Sequence, residues 1–121
     1  MIGPLVNHFP KEHRLLKRSD YDIVFSEGVR VHTDRFVFIF RRKIEDGSRL
    51  GLVVSKKVGN AVARNRVKRK LRETFRQVIT SGDRFELVVI AKKSASNSDF
   101  SKFKEDLCYG IYKARKKLQL V

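Results

Sequence analysis

The chain has a single cysteine, Cys108, among 121 residues. One thiol excludes an intrachain disulfide and any cysteine-cluster zinc site, since both need thiols in spaced sets, and it points to a reducing compartment. Long apolar runs are also missing. No uninterrupted stretch approaches the roughly 20 residues that a membrane-spanning helix requires. The opening Met-Ile-Gly-Pro-Leu-Val-Asn-His lacks the basic leader and apolar core of a signal peptide, so a soluble cytoplasmic protein with no membrane partner is expected. Repeats and composition shifts are absent as well, and a single domain over 1–121 follows, with an irregular N-terminal arm over 1–13. Acidic residues are scarce: 13 Asp and Glu face 28 Lys and Arg, a net charge of +15. With 41% hydrophobic residues, a chain of this length buries roughly two-thirds of its unfolded surface, enough for one modest core. Disorder is thereby excluded, and the excess charge points to a polyanionic partner, nucleic acid first.

The charge is concentrated. Lys56, Lys57, Arg64, Arg66, Lys68, Arg69, Lys70, Arg72 and Arg76 fall within 21 residues whose one acid is Glu73, so this segment holds +8 of the +15. Placed on a helix from Ala61 to Ile79, with Val67 at 0°, Val78, Leu71, Phe75 and Ile79 fill one apolar stripe, the pattern of a helix docked on a core. Asn65, Arg69, Arg72 and Arg76 form a row along the edge of the solvent face, with Arg66 and Lys70 beyond. Arg64 falls in the apolar sector but in the first turn, where the helix can overhang the body. A solvated face laced by intrahelical ion pairs needs acids, and Glu73 alone cannot neutralise the row. Guanidinium forks on a rigid helix suit a phosphate backbone, and Asn65 can touch a base or sugar. Just ahead, Lys57-Val-Gly-Asn60 offers a turn, an N-cap at Asn60 and backbone N–H groups beside Lys56 and Lys57, a candidate phosphate cradle.

Other segments supply a scaffold. A short helix over Asp20–Glu27, capped by Ser19 and stopped by Gly28, is followed by strands at Arg35–Arg41 and Leu50–Ser55. The turn signal Asp46-Gly47 suggests that these two pair as a hairpin. A third strand, Glu86–Ala91, follows the basic helix, and the strand-helix-strand order predicts a crossover with parallel pairing. Lys92–Ser98 reads as a loop. Apolar residues at 100, 103, 107, 111, 114 and 118 mark a final amphipathic helix, with Cys108 beside its stripe as a small side chain partly packed against the sheet.

The run Lys56-Lys57-Val-Gly-Asn-Ala-Val-Ala-Arg64-Asn65-Arg66-Val-Lys68-Arg69-Lys-Leu-Arg72-Glu73 closely resembles the Arg-Asn-Arg signature of the bacterial ribonuclease P protein subunit. The likeness extends through Arg14-Leu15, Asp20-Tyr21 and Val24-Phe25 to Arg49–Ser55 and Leu87–Lys92. It implies an α+β fold, a two-layer α/β sandwich like a ribosomal-protein domain. The order is α-β-β-α-β-α, with a mixed sheet and a left-handed strand-helix-strand crossover. It implies that an RNA subunit cleaves the 5′ leader from precursor tRNA with Mg²⁺, while the protein, with no organic cofactor and no obligate protein partner, binds both RNAs. Lys56, Lys57, Asn60, Arg64, Asn65, Arg66, Lys68, Arg69, Arg72 and Arg76 are then expected against the catalytic RNA. Arg18, Tyr21, Phe25, Ser55 and Lys93 are expected around the leader, in a cleft between the first helix and the sheet.

On the wheel Arg18, Tyr21 and Phe25 do share a face, and aromatic rings beside an arginine are what unpaired RNA needs. Core packing is the competing role for Tyr21 and Phe25. The alternation of Phe36, Phe38 and Phe40 stays open between cleft and core. Family members usually carry Phe where Tyr21 stands and Asp where Glu86 stands; a tyrosine keeps the stacking surface, and no metal role is given to Glu86. A direct protein nuclease would want paired imidazoles, and His8, His13 and His32 form no such pattern, so no catalytic side chain is expected. A general RNA-binding protein is the remaining rival.

Overall fold

A computed structural model of the chain describes residues 14–42, 47–79, 84–97 and 99–117. The N-terminal arm, Asp46 of the expected turn and Leu118 lie outside the described residues. Along the chain come α1 (Arg18–Glu27), β1 (Val29–His32), β2 (Phe36–Arg42), β3 (Arg49–Val53), α2 (Ala61–Val78), β4 (Phe85–Ala91), a 3₁₀ turn (Lys93–Asn97) and α3 (Phe100–Lys117). The segment expected as a loop is therefore helical in part. Helix α1 starts two residues earlier than expected, and Ser19 is not its cap. Lys17 occupies the cap position and its N–H donates to the Asp20 carboxylate at 3.3 Å, because an acid at the third helical position reaches back to the cap. Gly28 ends it as expected, its N–H on the Val24 carbonyl at 2.8 Å.

The sheet order is β1-β2-β4-β3, so the expected β2–β3 hairpin does not form. Strand β4 lies between them, antiparallel to β2 and parallel to β3, which bears out the parallel crossover around α2. The composition explains the insertion. Phe85–Ala91 is buried at six of its seven positions, and a strand apolar on both faces belongs in the middle of a covered sheet. The partner β2 takes for a hairpin is β1, a four-residue strand absent from the sequence reading, registered Val29↔Phe40 to His32↔Val37.

Alternation splits the sheet into two unlike faces. Phe36, Phe38, Phe40, Leu50, Leu87 and Val89 form one core with Val67, Leu71 and Phe75 of α2 and Phe103, Leu107, Ile111 and Ala114 of α3. The open question over Phe36, Phe38 and Phe40 is thereby answered. All three are fully buried beneath α2 and α3, with Phe103 edge-on to Phe36 at 4.9 Å. The α2 stripe packs as expected, while Cys108 is exposed rather than partly packed. On the opposite face Leu15 and Val24 meet Ile39 and Val88, with Tyr21, Phe25, Val37, Val53 and Ile90 at the margin. The two-layer sandwich is thus the sheet on α2 and α3, and α1 crosses its other side.

Candidate nucleic-acid interface

Asn60 begins the basic helix: its side-chain oxygen accepts the Ala63 N–H at 2.9 Å, the N-cap arrangement. The preceding loop uses most of its own donors. Lys57 N–H goes to Ser55 Oγ, Val58 N–H to Ser55 O and Gly59 N–H to Lys56 O. The expected phosphate cradle is therefore narrower than the sequence suggests. Its candidates are the N–H groups of Ala61 and Val62 in the first turn, where a helix leaves donors without intrahelical partners, flanked by the exposed Lys56 and Lys57.

The ten residues expected against catalytic RNA separate into groups. Lys56, Lys57, Asn60, Asn65, Arg66 and Arg69 are exposed. Arg76 pairs with Glu73 one turn away, so the single acid of the segment is used there. Arg64 is half-buried, not free as the overhang suggests, with its Nε enclosed and without a hydrogen-bond partner. Arg72 leaves the outward row and joins Lys68. They line a hollow of about 180 Å³ with Arg14, Leu15, Tyr21, Leu50 and Leu52, at the outer side of edge strand β3, where Arg14 bridges Leu50. Three cations and no carboxylate face this hollow. Desolvation, and then repulsion from Arg14, push the Arg72 pKa down from its ordinary value, the condition of a cation that an anion would relieve.

The α1 side of the sheet is built in rows set by strand register. Arg41, Glu86 and Arg49 stand side by side at one end, then Ile39, Val88 and Gly51, then Val37, Ile90 and Val53. The first row is an ion cluster. Glu86, 5% exposed, accepts from Arg41 at 2.6 Å and from Arg49, and Arg41 also holds Glu27 of α1 at 2.9 Å. Hydrogen bonds to Glu27 and then Glu86 raise the Arg41 pKa. Arg41, held in place by Glu86, thus ties Glu27 of α1 to the sheet. The middle row is covered by α1: a Cβ on Gly51 would fall 2.7–2.9 Å from the Tyr21 ring, so glycine is what lets the ring lie on the strand.

The third row stays half-open. Val37, Ile90 and Val53 are each partly buried, and His32, registered against Val37 at the sheet edge, is exposed. Tyr21 and Phe25 are half-buried at this margin, packed against the α1-side core and partly open to solvent. Arg18 is exposed on α1; Ser55 follows β3 and Lys93 follows β4, both exposed. Of the five residues expected around a leader, Tyr21 and Phe25 pack beside this apolar row, while Ser55 and Lys93 follow the strands that carry Val53 and Ile90. Sequence reasoning missed the row itself and Arg14. Its members carried the signal of strands apolar on both faces, but their alignment depends on a strand order that a lone sequence does not specify.

Among the described residues no three His, Cys, Asp or Glu gather as a metal-ligand set, and the buried carboxylate of Glu86 is taken by two arginines. These side chains do not fit a protein-held magnesium site, and no step is derived through one. Among the same residues no helix is long and apolar enough to cross a membrane.

Comparison with known proteins agrees with this geometry. The family model described as Ribonuclease P matches residues 9–115. The ribonuclease P protein component of Geobacter sp. (strain M21) is 40% identical over 112 residues, covering 92% of this chain and 96% of the relative. The solved-structure neighbours include the RNase P protein of Staphylococcus aureus, with a TM-score of 0.77 at 31% identity over 85% of this chain and 95% of that one. The RNase P protein from Thermotoga maritima has a TM-score of 0.70 at 39% identity, covering 79% and 92% respectively. With the signature helix, the mixed sheet and the likeness all running through the same residues, the chain belongs to the ribonuclease P protein family.

Proposed function

We propose that this chain, the protein component of a ribonuclease P, meets RNA on two surfaces that share one wall. The exposed Lys56, Lys57, Asn60, Asn65, Arg66 and Arg69, with Arg64 and Arg76 beside them, take the catalytic RNA subunit. The row Val37, Ile90 and Val53, together with Arg18, Tyr21, Phe25, Ser55 and Lys93, takes the 5′ leader of precursor tRNA: bases stack on the rings and phosphates meet the cations. Lys68, Arg72 and Arg14 stand between the two. The observation that carries this reading is the hollow in which Tyr21 of α1 and Lys68 and Arg72 of α2 face the same space.

Cleavage itself falls to the RNA. Magnesium ions held by the RNA subunit would supply the chemistry of water activation and leaving-group stabilisation, and the protein holds the leader so that the scissile bond is positioned. No organic cofactor and no obligate protein partner enter the reading, and the single thiol suits a cytoplasmic site of action. Reconstitution with the cognate RNA tests it. The protein should lower the magnesium needed for cleavage and should favour precursor carrying a leader over mature tRNA. With some 5–8 phosphates neutralised, log affinity should fall with log salt at a slope of roughly −4 to −7. Equal affinity for precursor and mature tRNA would refute leader recognition, and cleavage by the protein freed of RNA would refute the division of labour.

A further inference from the structure

Two tyrosines on α3 have no role in the core or in either surface above. The inward stripe of the helix is complete with Phe103, Leu107, Ile111 and Ala114, yet Tyr109 and Tyr112 stand 48% and 54% exposed on its outer side. Three residues apart, they are surface neighbours. Lys113 Nζ lies 5.9 Å from the Tyr109 ring centre and Lys116 Nζ 5.0 Å from that of Tyr112, so two ring-and-ammonium pairs tile the outer face of the C-terminal half. From Cys108 to Lys117 the helix has four basic residues and no acid. Glu105 shares this face a turn earlier, while Asp106 turns to Arg35 at 3.1 Å and Thr33 at 2.9 Å. Cations in a last turn also complement the helix dipole, which accounts for Arg115, Lys116 and Lys117 but not for exposed rings.

We propose that this face of α3 is a third RNA-binding surface, stacking unpaired bases on Tyr109 and Tyr112 while Lys113 and Lys116 pair with the phosphates. Charge selects the occupant. A surface with one acid among its cations suits a polyanion, and flat rings flanked by ammonium groups suit a single strand, whose bases all present a π-face. Position agrees: α3 packs beside α2 on one side of the sheet, with Lys70 Nζ 5.6 Å over the Phe103 ring, so the outer faces of the two helices adjoin. The inference rests on the proposed function only in setting α3 next to an RNA-bound α2. It is independent of the leader row on the opposite side.

Cys108, exposed and the one thiol in the chain, provides the probe. A photoreactive aryl azide attached there in the full-length protein reads occupancy of α3 alone when a labelled twelve-nucleotide oligouridine is titrated in. The crosslink should saturate, and Tyr109→Ala/Tyr112→Ala should raise its half-saturation at least about tenfold, whereas Tyr109→Phe/Tyr112→Phe should stay within about twofold. Alanine is a strong helix former and both sites are exposed, so the alanine pair folds. Lys113→Gln/Lys116→Gln should flatten the slope of log affinity against log salt by about 1.4, two single-strand phosphates. Tyr21→Ala should leave the α3 titration unchanged. An alanine curve superposed on wild type, no saturable crosslink, or crosslinking to a second copy of the chain instead of to RNA would overturn the proposal. Absence of leader preference in the wild-type holoenzyme, with the α3 titration intact, would instead count against the proposed function.

Discussion

At the residue scale, contacts that no spacing rule announces decide the most. Gly51 lies inside the strand expected over Leu50–Ser55, and the structure makes it the bed of the Tyr21 ring. Gly51→Ala should displace that ring, cost about 1 kcal/mol of stability through overpacking, and weaken leader binding without changing affinity for the catalytic RNA. Adding Tyr21→Ala should restore the stability but not the leader affinity, measured by urea denaturation and by precursor binding. Glu86 carries the opposite lesson. Its sequence neighbours are apolar, so its burial is legible, but its partners, Arg41 and Arg49, sit on strands whose order is not. Glu86→Gln keeps the shape and removes the charge from between two arginines. It should cost about 2 kcal/mol, whereas neutralising the exposed Asp22 should leave urea stability near that of wild type.

At the element scale, the helices were legible and the sheet only partly so. Helix periodicity lies within one segment, and Val67, Leu71 and Phe75 of α2 and Phe103, Leu107, Ile111 and Ala114 of α3 face the core as their spacing predicts. Strand pairing is a relation between segments: the Asp46-Gly47 signal favoured the nearest partner for β2, and the burial of β4 on both faces overrode it. Four-residue β1 fell below the length at which alternation is readable. Helix ends depend on side-chain hydrogen bonds, as Asp20 shows for α1. Asp99 shows it for α3, accepting the Lys102 N–H at 3.0 Å and the Ser101 hydroxyl at 2.8 Å. These donors, the Lys102 N–H first, hold the Asp99 carboxyl below its ordinary pKa of 3.8. The sign follows: a depressed native pKa contributes stability that is present above the unfolded value and lost as pH falls through the native one. Asp99→Asn keeps the acceptor oxygen and removes the charge. Its thermal stability should therefore decline less than that of wild type between pH 5 and about pH 3, as followed by circular dichroism.

At the scale of the whole molecule, a net charge of +15 resolves into placed groups. The outward face of α2 keeps its exposed cations because Glu73 is engaged by Arg76. The α1 side of the sheet offers an apolar row beside Tyr21 and Phe25. Between them the hollow gathers Arg14, Lys68 and Arg72 around Tyr21, an overlap that the helix wheel could not show because it lacks the body against which α2 is docked. Two separate surfaces would let every variant affect one RNA only; a shared wall requires a third class. The direct test is to measure, for each variant, affinity for the catalytic RNA and the affinity advantage of leader-bearing precursor over mature tRNA in the holoenzyme. Tyr21→Ala and Phe25→Ala should erase the leader advantage alone, Arg66→Ala and Arg69→Ala should weaken catalytic-RNA binding alone, and Arg72→Ala should reduce both. If all five variants weakened the two affinities in the same proportion, the surfaces would be one and the assignment of residues to separate RNAs would be wrong.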